Sequence, residues 1–348
     1  MRVVAAMSGG VDSSVVAGLL LEQGHEVIGV HMKLHDVQEG ESGHCCGLDD
    51  VMDARMVADS LGIPFYVMDL REAFRKAVMD DFADNYLAGL TPNPCVRCNG
   101  VLKFRVLLQR AKALGASHLA TGHYAKVDES GSLFRAVDPI KDQTYFLFPA
   151  TREAFQQTLF PLGGMSKAEV REHAVRMGLV TSSKPESQEV CFIPDDDHTR
   201  FIRDYRKGEI HDTGGDIVDE DGTILGQHDG YFRYTIGQRR GLRVAVGYPL
   251  YVLRINARTR QVVVGPAERL SKQGLVAGGM NWFRHPDPGE AVFARIRHNG
   301  GLIPAEVEGT DEVTIRFKAP ARAVAPGQAV VLYSGDEVLG GGWIRQAL

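Results

Sequence analysis

The chain has 348 residues, a formal net charge of −5, 44% hydrophobic residues and 24% charged residues. Those values suit two or three globular domains and exclude wholesale disorder or a uniformly basic nucleic-acid coat. Five cysteines at irregular spacing exclude a disulfide scaffold and point to a reducing compartment with reactive or liganding thiols. The apolar run at residues 3–6 is too short for a leader peptide, and no stretch approaches the ~18 apolar residues of a membrane span. The expectation is a soluble cytoplasmic protein with no membrane partner.

In chain order, Arg2–Ala6 reads as a strand, Ser13–Gln23 as a helix and Glu26–Met32 as a strand. Asp49–Leu61 reads as a helix, Pro64–Met68 as a strand, Phe104–Leu114 as a helix and Ser117–Ala120 as a strand. Gly24, Gly62 and Gly115 fall just past the helices, where a left-handed residue costs least. This βαβα alternation implies an α/β domain with a parallel sheet covered on both faces. The stretch 200–274 is net basic, with Arg200, Arg203, Arg206, Lys207, Arg239, Arg240 and Arg243, and would draw a polyanionic partner. From about residue 208 the pattern turns to short strands and tight turns. Val292–Arg297, Ala305–Val307, Val313–Phe317 and Ala329–Tyr333 suggest a small antiparallel β-barrel at the C-terminus. The domains expected are 1–200, a small central domain at 201–270, and the barrel at 271–348.

Ser8-Gly9-Gly10-Val11-Asp12-Ser13-Ser14 joins the first strand to the first helix. Adjacent glycines let backbone N–H groups approach an anion, and the helix start adds free donors. Ser8, Ser13 and Ser14 can donate hydroxyls, while Asp12 suits helix capping or holding Mg²⁺ on the phosphates. No Gly-Lys-Ser/Thr follows, so this is not a Walker A loop, and G-x-G-x-x-G is absent too. The string resembles the PP-loop of ATP pyrophosphatases. On that reading the adenine lies where the next strand ends at Val30-His31-Met32, and Gly122 lets the nucleotide approach.

Cys95 and Cys98 lie in Thr91-Pro92-Asn93-Pro94-Cys95-Val96-Arg97-Cys98-Asn99, and Cys191 follows about 90 residues on. A thiol at a helix start beside Arg97 would have its thiolate favoured. Three uses fit these residues. One is a sulfur-transfer pair of Cys98 and Cys191. Another is a three-thiolate iron–sulfur site on Cys95, Cys98 and Cys191. The third is structural zinc, with His123 or the Cys45-Cys46 pair completing the set.

The strings S-G-G-V-D-S-S, T-P-N-P-C-V-R-C-N, A-T-G-H-Y, K-D-Q-T-Y-F-L, E-S-Q-E-V-C-F-I, T-I-G-Q-R-R-G-L and P-G-Q-A, in that order, resemble the bacterial tRNA-specific 2-thiouridylase family from about residue 3 to 345. The resemblance implies a PP-loop domain, a small central domain and a C-terminal β-barrel. It implies ATP-dependent adenylation of O2 of the wobble uridine of tRNA, then displacement of AMP by sulfur. That sulfur comes from a cysteine desulfurase or a sulfur-relay protein. By motif position Cys98 is the nucleophile and Cys191 the persulfide carrier, the two able to pair as a transient disulfide. Ala6, Met7, Ser8, Gly9, Gly10, Val11, Asp12, Ser13, Met32 and Gly122 match ATP contacts. Asn93, Pro94 and Cys95 match the base-contacting segment. His123, Lys141, Asp142, Gln143, Arg297, His298 and Gln328 match tRNA contacts. ATP and Mg²⁺ are the implied cofactors, with a [4Fe-4S] cluster as the alternative. Another PP-loop adenylating ligase is the rival activity. Many relatives carry Asp where this chain has Cys95, which leaves proton transfer without its carboxylate and strengthens the cluster reading. They often carry Lys where this chain has Gly100, a cation for which Lys103 would compensate.

Overall fold

The computed structural model describes residues 1–36, 48–185, 190–211 and 213–348. Contacts divide the chain into two compact units. The first comprises residues 1–78, 95–196 and 336–338; the second comprises 79–94, 197–335 and 339–348.

In the first unit, β1 (Arg2–Ala6) leads into α1 (Val11–Glu22), β2 (Glu26–Lys33), α2 (Leu48–Leu61) and β3 (Phe65–Asp69). After a helical stretch come β4 (His118–Ala120), the hairpin β5 (Ala125–Val127) and β6 (Leu133–Arg135), and β7 (Thr158–Leu159). Five strands form a parallel sheet in the order β3-β2-β1-β4-β7. β1 is the middle strand, and Val3, Val4 and Ala5 are wholly buried, as an apolar run covered on both faces must be. Val15, Val16, Leu20, Val57 and Ala58 of α1 and α2 join that core. Gly18 lets α1 approach its neighbour: a Cβ there would sit 2.5 Å from the Met177 sulfur.

Sheet order locates the site. The chain runs from β1 outward to β2 and β3, then returns to β1's other side through β4. Strand order reverses between β1 and β4, and in open α/β sheets ligands bind in the crevice beyond the carboxyl ends at such a point. Residues 7–10 follow β1 there, and Thr121, Gly122 and His123 follow β4.

The helical stretch starts earlier than the pattern predicts. Pro94–Arg97 is α-helical, Cys98–Leu107 is π-helical, and Leu108–Ala113 is α-helical again. Pro94 occupies the first helical position, where its missing N–H costs nothing.

In the second unit, β8 (Gly215–Val218), β9 (Ile224–His228), β10 (Tyr251–Asn256) and β11 (Gln261–Gly265) form a four-stranded sheet. A barrel follows from β12 (Ser271–Trp282), β13 (Val292–Arg295), β14 (Ile303–Glu308), β15 (Glu312–Arg322), β16 (Ala329–Ser334) and β17 (Glu337–Ala347). Its order is β12-β15-β14-β13-β16-β17, and β12 pairs with β17 to close it. Closure removes the exposed edges of a short sheet. The two closing strands had no place in the turn-punctuated pattern, because Gly274, Gly278, Gly279 and Gly340–Gly342 obscure their alternation. No helix among the described residues is long and apolar enough to cross a membrane.

Candidate functional site

The phosphate loop is held by its own side chains. Ser13 Oγ accepts from the Ser8 N–H at 3.1 Å and donates to the Gly10 carbonyl at 3.1 Å; Ser14 Oγ donates to the same carbonyl at 2.9 Å. The Ser8 hydroxyl joins them, 3.2 Å from Ser13 Oγ, although Ser8 itself is exposed. Gly9 has φ +82°, and a Cβ there would lie 2.3 Å from the Asp50 carbonyl oxygen. The loop rests directly on the first turn of α2. Gly122 makes a second close approach: its Cβ would be 3.1 Å from the Ser13 nitrogen. Ala6 ends β1, and Met7 and Val11 are buried beneath the loop. Met32, at the end of β2, is half-buried.

Asp12 does not cap α1, whose N-cap is Gly10. Its Oδ1 accepts from the Lys167 ammonium at 2.7 Å and from the Tyr124 hydroxyl at 3.0 Å. Lys167 opens a helix, Lys167–Arg176, that a Ser166–Glu169 capping box fixes in place. Behind the loop, Lys184 pairs with Asp50 at 2.7 Å and with Asp53. Burial opposes its charge, but hydrogen bonds and attraction from the two carboxylates outweigh it and raise its pKa. His31 is buried; its Nδ1 donates to the Met7 carbonyl at 2.9 Å, and Nε2 has no partner among the described residues. Burial holds its pKa below the usual value. These cations and this imidazole escape sequence reading because their partners lie far away in the chain: 155 residues separate Lys167 from Asp12.

Cys98 lies one turn inside the helix, not at its start, so the free donors there do not favour its thiolate. Burial raises the thiol pKa, and the Lys103 charge pulls the other way. His123 Nδ1 donates to Thr121 Oγ1 at 2.8 Å, and Lys103 Nζ donates to His123 Nε2 at 3.3 Å. Burial, then the neighbouring ammonium, push the His123 pKa well down, so the ring is neutral. Cys191 is half-buried on a turn anchored by Phe192, whose ring meets Phe74 edge-on at 5.5 Å.

None of Cys95, Cys98 and Cys191 is in a disulfide. The expected Cys98–Cys191 disulfide is therefore absent from this state. No group of three His, Cys, Asp or Glu side chains among the described residues gathers to hold a metal. The helix presents Cys95 to solvent while Cys98 is half-buried, and among the described residues neither the cluster nor the zinc reading finds its ligand set. Cys45 and Cys46 lie outside the described residues.

Of the loop at 141–143, Lys141 and Gln143 are half-exposed, but Asp142 is wholly buried. Its carboxylate accepts from Thr144 Oγ1 at 2.8 Å and shapes the loop. Gln143 Oε1 accepts from the Tyr124 N–H at 3.1 Å, tying the loop to the His123 strand end. In the second unit, Gln328 Nε2 donates to the carbonyls of Thr91 at 3.2 Å and Pro92 at 3.0 Å, and Asn93 Nδ2 donates to Gln328 Oε1 at 3.5 Å. Two sequence-separated candidates are thus neighbours. Pro94 is half-buried. Arg297 is exposed, His298 is half-buried, and the Arg297 guanidinium donates to the carbonyls of Arg322 and Ala323.

Comparison with known proteins adds three family models. Residues 1–195 match "tRNA methyl transferase HUP domain", residues 201–266 match "tRNA methyl transferase PRC-barrel domain", and residues 272–344 match "Aminomethyltransferase beta-barrel domain". A tRNA-specific 2-thiouridylase MnmA from Geobacter metallireducens is 51% identical, covering 100% of this chain and 97% of the relative. Proteins of the same name from Geotalea uraniireducens and Carboxydothermus hydrogenoformans are each 50% identical over 100% of this chain, and over 96% and 98% of their own lengths.

Proposed function

The chain belongs to the tRNA-specific 2-thiouridylase family, and from that premise we infer how its own residues carry out the reaction. It is an ATP-dependent tRNA sulfurtransferase that converts uridine to 2-thiouridine. The uridine is the wobble base of the anticodon. The loop at 8–13 holds the triphosphate through backbone N–H groups and the α1 dipole, and Gly9 and Gly122 let the loop pack closely on α2 and on the end of β4. Ala6, Met7, Val11 and Met32 frame the nucleotide. Lys167 lies against the same loop through Asp12 and offsets phosphate charge. Mg²⁺ fits the Asp12 carboxylate, both of whose partners among the described residues bond to Oδ1; when bound it would neutralise phosphate charge.

Asn93, Pro94 and Cys95 are the proposed contacts of the unstacked base, and His123 is proposed as a tRNA contact. Uracil O2 attacks the α-phosphate and pyrophosphate leaves, so the oxygen departs as AMP. Cys191 carries the incoming sulfur as a persulfide, received from a cysteine desulfurase or a sulfur-relay protein. Its terminal sulfur attacks C2 and the C2–O bond breaks, expelling AMP. The Cys98 thiolate then attacks Cys191 Sγ. The S–S bond to the transferred atom breaks, 2-thiouracil leaves, and a Cys98–Cys191 disulfide forms for an external thiol to reduce. Such a cycle needs a reducing compartment, which agrees with a cytoplasmic site of action. Lys141, Gln143, Arg297, His298 and Gln328 are the proposed tRNA contacts, with Asp142 holding its loop, and the domain division at about 200 and 270 is proposed with them.

The observation that carries this reading is a pair of unbridged cysteines, Cys98 and Cys191, in the same unit as the Gly9 loop. An adenylating ligase needs the loop but not the thiols. The test is nucleoside mass spectrometry of tRNA treated with ATP and a persulfide donor. Cys98→Ser and Cys191→Ser should each yield no 2-thiouridine while tRNA-dependent pyrophosphate release continues. Normal 2-thiouridine from either variant would refute the assignment.

A further inference from the structure

We propose that Lys103 is a positioning residue for Cys98, its ammonium being the positive charge that counters burial and favours ionisation of that sulfur, and that the π-helical run Cys98–Leu107 is the device that turns it there. The inference rests on Cys98 acting as nucleophile.

Helix geometry supplies the first argument. At 3.6 residues per turn, five residues of α-helix turn about 500°, leaving residue i+5 roughly 140° away from residue i. Cys98 and Lys103 would then face different directions. A π-helix closes i→i+5 bonds, so each turn is wider and residue i+5 comes back over residue i; such segments are rare and cluster at functional sites. The segment Cys98–Leu107 is π-helical over ten residues and begins at the cysteine.

The second argument is what Lys103 meets. Its Nζ donates to His123 Nε2 at 3.3 Å, while His123 Nδ1 donates to Thr121 Oγ1 at 2.8 Å. The ammonium can only donate, so Nε2 presents its lone pair to it and Nδ1 carries the proton that the threonine hydroxyl accepts. Phe104 and Phe160 flank the ring at 5.9 Å and 6.1 Å, and Phe155 packs on both at 5.5 Å and 5.9 Å. Aromatic walls lower the local dielectric, so one charge acts strongly there. Lys103 is the charged group that the Cys98 thiol senses, and it opposes the rise that burial imposes. From the helix itself Cys95 and Arg97 flank Cys98; from the end of β4 the titratable group is neutral His123.

The third argument is Gly100. A Cβ there would lie 2.8 Å from Pro149 Cβ, so the helix presses against Pro149 where no side chain fits. A long side chain has no place at 100, whereas Lys103, three residues on, directs its ammonium to His123.

The experiment is peptide-resolved alkylation of the full chain by iodoacetamide across pH, without tRNA or ATP. Lys103→Gln keeps an N–H donor for His123 but removes the charge. It should move the Cys98 midpoint up by about one pH unit, a roughly tenfold slower reaction below the midpoint. Lys103→Arg should restore the native midpoint, and the Cys191 profile should not move in either variant. Lys103→Met is read in the same way if the glutamine variant does not fold. A Cys98 midpoint that stays or falls without the charge, or that shifts equally with Cys191, overturns the proposal. Because 2-thiouridine formation by Cys98→Ser is scored separately, the nucleophile assignment and the role of Lys103 can fail independently.

Discussion

Gly9 and Gly10 are adjacent, yet alanine should be strongly destabilising at the first and nearly neutral at the second. Gly9 has φ +82°, where an L-side chain costs about 1–2 kcal/mol. Its Cβ would also fall 2.3 Å from the Asp50 carbonyl oxygen and 2.8 Å from Asp50 Cα, far inside the roughly 3.5–4.0 Å of ordinary packing. Both atoms are backbone, so no rotamer change relieves the clash; overpacking of this kind costs a further ~1–3 kcal/mol. Gly9→Ala should therefore destabilise the first unit by about 2–5 kcal/mol. Gly10 has φ −94° and ψ 165°, an extended conformation open to any residue, and its nearest neighbour would be Ser8 Oγ at 3.6 Å. Alanine is a poorer N-cap than glycine but restricts the unfolded chain, and the two effects cancel to within about 1 kcal/mol. Urea titration followed by far-UV circular dichroism reports the first unit, which holds the longer helices. Fluorescence of Trp282 and Trp343 reports the second unit and should be unchanged in both variants. Equal circular-dichroism midpoints for Gly9→Ala and Gly10→Ala would refute the argument from Asp50.

The Asp12–Lys167 pair is mostly shielded, at 29% and 12% side-chain exposure. Lys167→Met should cost about 1–3 kcal/mol, between the exposed and buried cases, and Asp12→Asn in the same chain should recover part of it; a double-mutant cycle with no coupling sinks the pairing. His31 and His123 both have lowered pKa values. Below about pH 6.5 the unfolded chain takes up protons that the folded rings refuse, so stability is complete above that pH and declines below it. The decline reaches about 1.4 kcal/mol per pH unit per histidine, and His31→Gln should reduce the slope in urea titrations between pH 7 and 5.5; an identical slope would count against it. Affinity for tRNA should fall linearly on a logarithmic salt axis, because phosphate contacts release counterions. Filter binding that is flat with salt would oppose the polyanion contacts assigned to Arg297 and the net-basic segment at 200–274.

Legibility followed the range of the interactions. β1, α1, β2, α2 and β3 could be read within two residues at either end, because each is bounded by a local signal: Gly24 and Gly62 end the helices with φ +78° and +66°, and the strand runs are continuously apolar. The phosphate loop was legible for the same reason, since its conformation is written in two adjacent glycines. The helix carrying Cys98 begins ten residues before the Phe104 start that the pattern predicts, because Pro94 is a tolerated first helical residue and no apolar period marks that turn. That difference carries through to the chemistry. A thiol at a helix terminus is activated by unpaired backbone donors, but a buried thiol one turn inside has lost them. Its activation must come from a side chain, and a π-helical register is not encoded by any period a sequence scan tests. The same limit hid the pairs Asp12–Lys167 and Asp50–Lys184: a lone lysine on a polar helix reads as solvated surface until the fold sets it beside a carboxylate. The residues that chemistry obliges to be particular types, glycine and cysteine, were found; the residues that tune them, lysine, histidine and threonine, become visible only when strands β1 and β4 bring their ends to one crevice.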